Sequence, residues 1–167
     1  MTALQEGILV VVDDPGWRKI RGLLPRLKRA AAAAEKAAKF RGSSSLTVLL
    51  ANDRRLKSLN RDFRGKDYPT DVLSFPSPSF VEGFSGDIAI SGDMAARNAQ
   101  ALGHSVGDEV KILVLHGVLH LAGYDHVSDN GQMAEKELRL RRKLGLPAAL
   151  IERAAAKRRA RLSRSST

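Results

Sequence analysis

From Asp108 to Gly123 the chain reads DEVKILVLHGVLHLAG, and no other stretch restricts the fold as much. The acids stand at its start, and Val114, Leu115, Val118, Leu119 and Leu121 crowd around the helix that the pattern predicts. A helix with apolar residues on all sides has to be buried, so the rest of the chain is expected to pack around this one. Gly123 suits its stop, because glycine readily takes the left-handed conformation common just past a helix end.

Strands and helices alternate elsewhere. Gly7 to Val12 reads as a strand, broken by Asp13, Asp14, Pro15 and Gly16. Pro25 suits a first helical turn, and the alanine-rich RLKRAAAAAEKAAKF is strongly helix-forming and expected to lie close on the sheet. Gly42 and three serines form a loop before a strand from Leu46 to Ala51, and Asn52 is placed to cap the helix DRRLKSLNRDFR. DVLSF and GDIAIS are short strands joined by the loop PSPSFVEGFSG. GDMAARNAQALG is a helix closed by Gly103, and helices are expected at Met133 to Leu144 and Ala148 to Arg161. The order predicts an α+β fold, a small mixed four-stranded sheet packed with helices, and not a doubly wound one.

Composition enters through what it excludes. At 167 residues the chain is long enough for one domain with a sizeable core. Its longest apolar runs, such as Ile8 to Val12, are too short to span a bilayer, and no basic segment precedes that run as in a signal peptide. There are no cysteines, so disulfides and thiolate metal ligands are ruled out and a cytoplasmic location is expected. The net charge is +10. From Leu138 to Thr167 there are ten Lys or Arg against one acid, Glu152, while the preceding residues carry eighteen against seventeen. Such a tail suits a polyanion through phosphate contact, or serves as a solvated appendage.

Three of the four histidines fall in HGVLHLAGYDH. His116 and His120 are four apart, which places both rings on one helix face, one turn apart. After Gly123 the chain can turn back and present His126 to the same point. Three imidazoles with a fourth position left for water make a catalytic site for one divalent ion, zinc before others. The pattern H-x-x-x-H-x-x-G-x-x-H overlays the metzincin peptidase signature except at one position, where Gly117 replaces the glutamate that activates water. The metal cradle is kept and the peptidase base is missing.

The motif resembles that of the YbeY-type endoribonucleases, the bacterial rRNA maturation factors. LNRDFRGKDYPTDVLSFP (Leu59 to Pro76), GDIAIS (Gly86 to Ser91) and the pair Met133 and Glu137 are similar to further blocks of that family, in the same order, over roughly residues 46 to 146. The resemblance implies a zinc-peptidase-like core with a central metal-binding helix. It implies a metal-dependent, single-strand-specific RNase that forms the 3′ end of small-subunit rRNA and acts in ribosome quality control. It also implies His116, His120 and His126 as ligands and Arg64 as the functional arginine, whose guanidinium can hold a phosphate at two points. The expected organisation is one catalytic metallohydrolase domain over 1–150 and a basic helix or tail over 151–167. In that tail Lys157, Arg158, Arg159, Arg161 and Arg164 are candidate RNA contacts. The expected partner is RNA of the small ribosomal subunit, with no membrane.

Other residues leave alternatives open. Asp125 either orients a ligating histidine from behind or stabilises the turn. Asp71 precedes a strand expected to line the groove and is not assigned a catalytic role. Tyr124 either stacks on a base or packs. His104 is expected to be an exposed loop residue. The sequence GKD at Gly65 to Asp67 lacks the glycine pattern of a phosphate loop. Two rival readings stand: a zinc peptidase with Asp125 or Glu109 as base, and a non-catalytic RNA-binding assembly factor with structural zinc.

Overall fold

The computed structural model describes residues 7–38, 44–77, 84–125 and 128–147. Among these, strands β1 (Gly7–Val12), β2 (Ser44–Ala51), β3 (Val72–Pro76) and β4 (Phe84–Ser91) form one sheet in the order β1-β2-β4-β3. β1 with β2 and β2 with β4 are parallel, and β3 runs antiparallel to β4 at the edge. The helices are α1 (Leu23–Ala37), α2 (Asp53–Arg64), α3 (Gly92–Leu102), α4 (Val106–Leu121) and α5 (Gln132–Leu144), with a 3-10 turn at Pro15–Lys19. This is the expected α+β architecture with a mixed four-stranded sheet. The expected helix at Ala148 to Arg161 lies outside the described residues.

Strand alternation divides the core between the sheet's two faces. Leu46, Val48 and Leu50 of β2 and Ile88 and Ile90 of β4 face a large apolar cluster with α1, α4 and α5. Ala51, Leu73 and Ala89 point the other way, into a smaller cluster closed by Leu56 of α2. α4 lies at the centre of the larger cluster, and every residue from Glu109 to Leu119 except Lys111 is buried. Ala30, Ala31 and Ala34 are fully buried against it, so the alanine run brings α1 close to α4 as well as to β1.

The local signals behave as their chemistry requires. The Asn52 side chain accepts the Arg55 N–H at 2.9 Å and starts α2. Ser105 starts α4 two residues before the expected point by accepting the Asp108 N–H at 3.1 Å. Gly123 follows α4 with φ +91, the conformation for which a glycine was expected there. α2 and α3 are tied together where Asp53 accepts from Ser91 Oγ at 2.6 Å and from Arg97 Nη2 at 2.6 Å. No helix among the described residues is long and apolar enough to cross a membrane.

Candidate metal centre and cleft

The last two turns of α4 carry His116 and His120, and the helix spacing brings their rings edge to face with centroids 4.7 Å apart. Their Nε2 atoms face each other at 3.1 Å. Behind His116, Glu137 of α5 places Oε2 3.1 Å from Nδ1. A buried carboxylate accepts, so Nδ1 carries the proton and the Nε2 lone pair points at His120. Glu137 in turn faces Arg141 one helical turn on, Oε1 to Nη1 at 3.6 Å, with both side chains at 1% exposure or less. This arginine compensates a buried charge that would otherwise be costly.

The geometry fits a divalent ion. Two imidazole nitrogens each about 2.0–2.1 Å from a tetrahedral centre lie roughly 3.3–3.4 Å apart, close to the separation seen here. His116 and His120 would hold such an ion through these Nε2 atoms, which must be unprotonated to do so. Among the described residues no group of three or more potential ligands gathers at one point. His126, the third expected ligand, lies outside the described residues, as do Lys157, Arg158, Arg159, Arg161 and Arg164.

The histidine pair opens into a cleft of about 450 Å³ whose opposite wall is the end of α2 and strand β3. Arg64, the last residue of α2, lines it, and its Nη2 donates to Ser74 O at 3.1 Å. The loop beyond α2 hangs on Asn60, which is 2% exposed: its Nδ2 donates to Tyr68 O at 2.8 Å, and its own carbonyl accepts the Lys66 N–H at 3.2 Å. That clamp puts Lys66 and Tyr68 on the cleft wall beside Arg64. Ser74 Oγ donates to Gly117 O at 3.1 Å and pins β3 to α4.

β3 is an edge strand, and two of its outward hydrogen-bonding groups are occupied. The Ser91 N–H donates to Asp71 O at 2.9 Å, so residues 71, 73 and 75 turn their main chain toward β4, and 72, 74 and 76 turn theirs outward. Of the outward groups, the Val72 N–H is taken by Asp71 Oδ1 at 2.9 Å and the Ser74 carbonyl by Arg64. Pro76 has no N–H to offer. Burial lifts the Asp71 carboxyl above its ordinary range, against the pull of the Val72 N–H and of nearby His116.

Gly117, which stands where a peptidase carries its glutamate, faces the sheet and not the cleft. A Cβ there would fall 2.9 Å from Ile88 Cδ1 and 3.0 Å from Cγ2. The glycine lets α4 lie directly on β4.

One other expectation changes. His104 is not an exposed loop residue: its side chain is 8% exposed, with Nε2 2.5 Å from Oε2 of the fully buried Glu109. An acid buried at the start of α4 requires such a partner. Asp125 is exposed, and it accepts from Ser128 Oγ at 3.2 Å while its carbonyl takes the Asp129 N–H at 2.9 Å, a turn-stabilising role. Tyr124 packs on the core beneath Lys136. Glu137 had been noticed only for its position in the post-motif helix. Its role was readable from the stripe Met133, Glu137, Leu140, Arg141, which sets an acid and a base one turn apart on the buried face of α5.

A mixed sheet over a central helix with two histidines one turn apart, opening beneath an antiparallel edge strand, defines a zinc-peptidase-like α+β core. The family model described as Endoribonuclease YbeY matches residues 19–145. An Endoribonuclease YbeY of Koribacter versatilis is 55% identical over 120 residues, 72% of this chain and 76% of that protein. One from Nautilia profundicola is 49% identical over 108 residues, 65% of this chain and 78% of that one. The solution structure of TM1509 from Thermotoga maritima superposes with a TM-score of 0.56 at 32% identity, covering 80% of this chain and 85% of that one. The chain belongs to the endoribonuclease YbeY family.

Proposed function

We propose that this chain is a metal-dependent, single-strand-specific endoribonuclease of the cytoplasm that matures ribosomal RNA. Its target would be the 3′ end of small-subunit rRNA, with a further part in ribosome quality control. The observation that carries the reading is one cleft holding the histidine pair on one wall and Arg64 on the other. His116 and His120, together with His126, would hold one zinc ion. Bound there, the ion would supply a Lewis acid for a phosphoryl oxygen and a more acidic water.

The chain's own residues supply the rest. Arg64 is anchored through Nη2 on Ser74, and its guanidinium has further N–H donors for a phosphate that gains charge during cleavage. Glu137 keeps His116 in the tautomer that turns its Nε2 toward the cleft. Tyr68, half exposed on the wall, offers an apolar face to an unpaired base, which a duplex would not present. In the tail, Lys157, Arg158, Arg159, Arg161 and Arg164 would add phosphate contacts that are blind to sequence.

The rival peptidase reading loses its requirements one by one. Peptide substrates add a strand to such an edge, and here the Val72 N–H and the Ser74 carbonyl are already engaged. Glu109 is buried against His104 and Asp125 is exposed in a turn, so neither is placed as a base in the cleft.

Arg64→Ala tests the proposal. It should keep its fold and metal content while single-turnover cleavage of a single-stranded RNA falls by about 10²–10³, as when an oxyanion donor is removed. Unchanged turnover, or proteolysis sensitive to a chelator, would defeat it.

A further inference from the structure

The neutral total of the chain before Leu138 hides a strongly basic segment. Between Pro15 and Arg41 there are nine Lys or Arg and one acid, Glu35. α1 lies in this segment, and α5 packs beside it. Helical spacing lines up Arg26, Arg29 and Lys36 on α1 and Lys136, Arg139 and Lys143 on α5.

These two rows flank a furrow between the helices, in two successive sections. One section, about 380 Å³, has Lys36 on one side and Lys136, Arg139 and Lys143 on the other, over a floor of Ala33, Ala37 and Leu140. The next, about 260 Å³, continues past Arg26, Arg29 and Leu144. From Arg26 to Lys36 the α1 row is about 15 Å long at 1.5 Å per residue. Two acids oppose it: Glu135 pairs with Arg139 at 2.5 Å on the exposed surface, where such pairs are weak, and Asp108 pairs at 3.1 Å with Lys111, which lines the second section. Lys136 is fixed in place, its Nζ donating to Ala37 O at 2.9 Å and lying 5.5 Å from the centre of the Tyr124 ring. Tyr124 belongs to the turn that follows His120, so the furrow begins beside the histidine motif and leads away from it. It shares no lining residue with the catalytic cleft.

We infer that the α1–α5 furrow is a second RNA-binding surface, which holds the sugar–phosphate backbone of the substrate away from the scissile bond. The inference rests on the proposed RNA-cleaving function. Long flexible cations on both banks and small apolar residues on the floor suit a narrow polyanion, and offer nothing that reads a base edge. The furrow therefore sets affinity for long RNA and leaves the chemical step to the cleft.

Lys36→Glu combined with Arg29→Glu and Lys143→Glu tests this. All three side chains are exposed. The control, Arg54→Glu with Arg55→Glu and Arg18→Glu, makes the same change in net charge elsewhere on the exposed surface. The probes are a short single-stranded RNA that only fills the cleft, and one several times longer. The furrow variant should cut the short RNA at the native rate and bind the long one more weakly. Three lost contacts at roughly 0.7 each should lower its log–log salt slope by about 2, so that the loss seen at 50 mM salt shrinks about twentyfold by 200 mM. Glutamine replacements at the same positions should give a smaller loss in the same direction if the reversals fold poorly.

Equal affinity of native and furrow variant for long RNA overturns the inference. So does an equal loss in the control, which would make net charge the cause. Full RNA affinity together with lost binding to polyglutamate would reassign the furrow to an acidic protein segment. A native protein that cuts neither RNA defeats the proposed function itself, whereas one that cuts both with equal efficiency defeats only the furrow.

Discussion

Gly117→Glu would write the complete peptidase pattern H-E-x-x-H into α4, and the structure predicts that it damages the fold instead of creating a protease. The new Cβ would meet Ile88 Cδ1 at 2.9 Å, Cγ2 at 3.0 Å and Cγ1 at 3.3 Å. Ile88 is 1% exposed in the middle of the sheet, so it has little room to withdraw. Overpacking of this kind costs about 1–3 kcal/mol. The carboxyl group would then sit between helix and sheet, and burying a polar group without a partner costs roughly 2–7 kcal/mol more. Replacing a glycine inside a helix returns only about 1 kcal/mol. The net loss, at least about 2 kcal/mol, is a large part of the roughly 5–15 kcal/mol that holds a domain of this kind together. Gly117→Ala isolates the packing part: the helix gain offsets some of the overcrowding, leaving a cost of about 0–2 kcal/mol. Ile88→Val removes the nearest atom, so the alanine should cost less in that background, with a coupling of about 0.5 kcal/mol or more. Urea denaturation of the four proteins in this cycle measures it. Native stability in Gly117→Glu, or a cycle with no coupling, would refute the placement of Gly117 against β4.

Glu137→Gln should weaken zinc binding about 10–100-fold, the usual effect of losing a carboxylate behind a ligating histidine. It should also cost about 3–5 kcal/mol, because it takes the charge from one partner of the buried pair with Arg141; zinc titration and denaturation that both match the native protein would contradict this. Burial raises the Asp53 carboxyl, but the bonds from Ser91 and Arg97 outweigh it and hold its pKa below the ordinary value of 3.8. The resulting stabilisation is present above that value and is lost as pH falls through the lowered pKa, so melting curves of Asp53→Asn should lie below native at neutral pH and converge with it in acid; a constant gap down to pH about 2 would remove the latch from the account.

The elements most legible in the sequence are those with a local cause. Asn52 and Gly123 act within a few residues of where they stand, and helix spacing alone puts His116 beside His120. Expectation failed where the cause lies far along the chain. His104 looked exposed because it follows a glycine, yet its environment is decided by Glu109, an acid that α4 carries into the interior. The partner of a ligating histidine was sought within the motif, at Asp125. The partner of His116 is instead Glu137, 21 residues away on another helix. The engaged Ser74 carbonyl on the edge of β3 could not be read either, since it depends on Arg64 reaching across and on the register that turns residue 74 outward.

Charge shows the same limit in its plainest form. Summed along the chain, the residues before Leu138 are nearly neutral, and the tail looks like the sole basic feature. Summed over the surface, the result differs, because folding sorts what a running total mixes. Several acids are spent on partners within the fold: buried Glu109 on His104, buried Glu137 on His116 and Arg141, and part-exposed Asp53 on Ser91 and Arg97. The cations of α1 and α5 are too long and too well hydrated to follow them inside, so they remain on the surface and gather where the two helices meet. A polyanion approaching the protein feels that distribution and not the sum. Glu137 is buried behind His116 and Glu109 beside His104, so these two acids count in the total without offsetting the cations of the α1–α5 furrow.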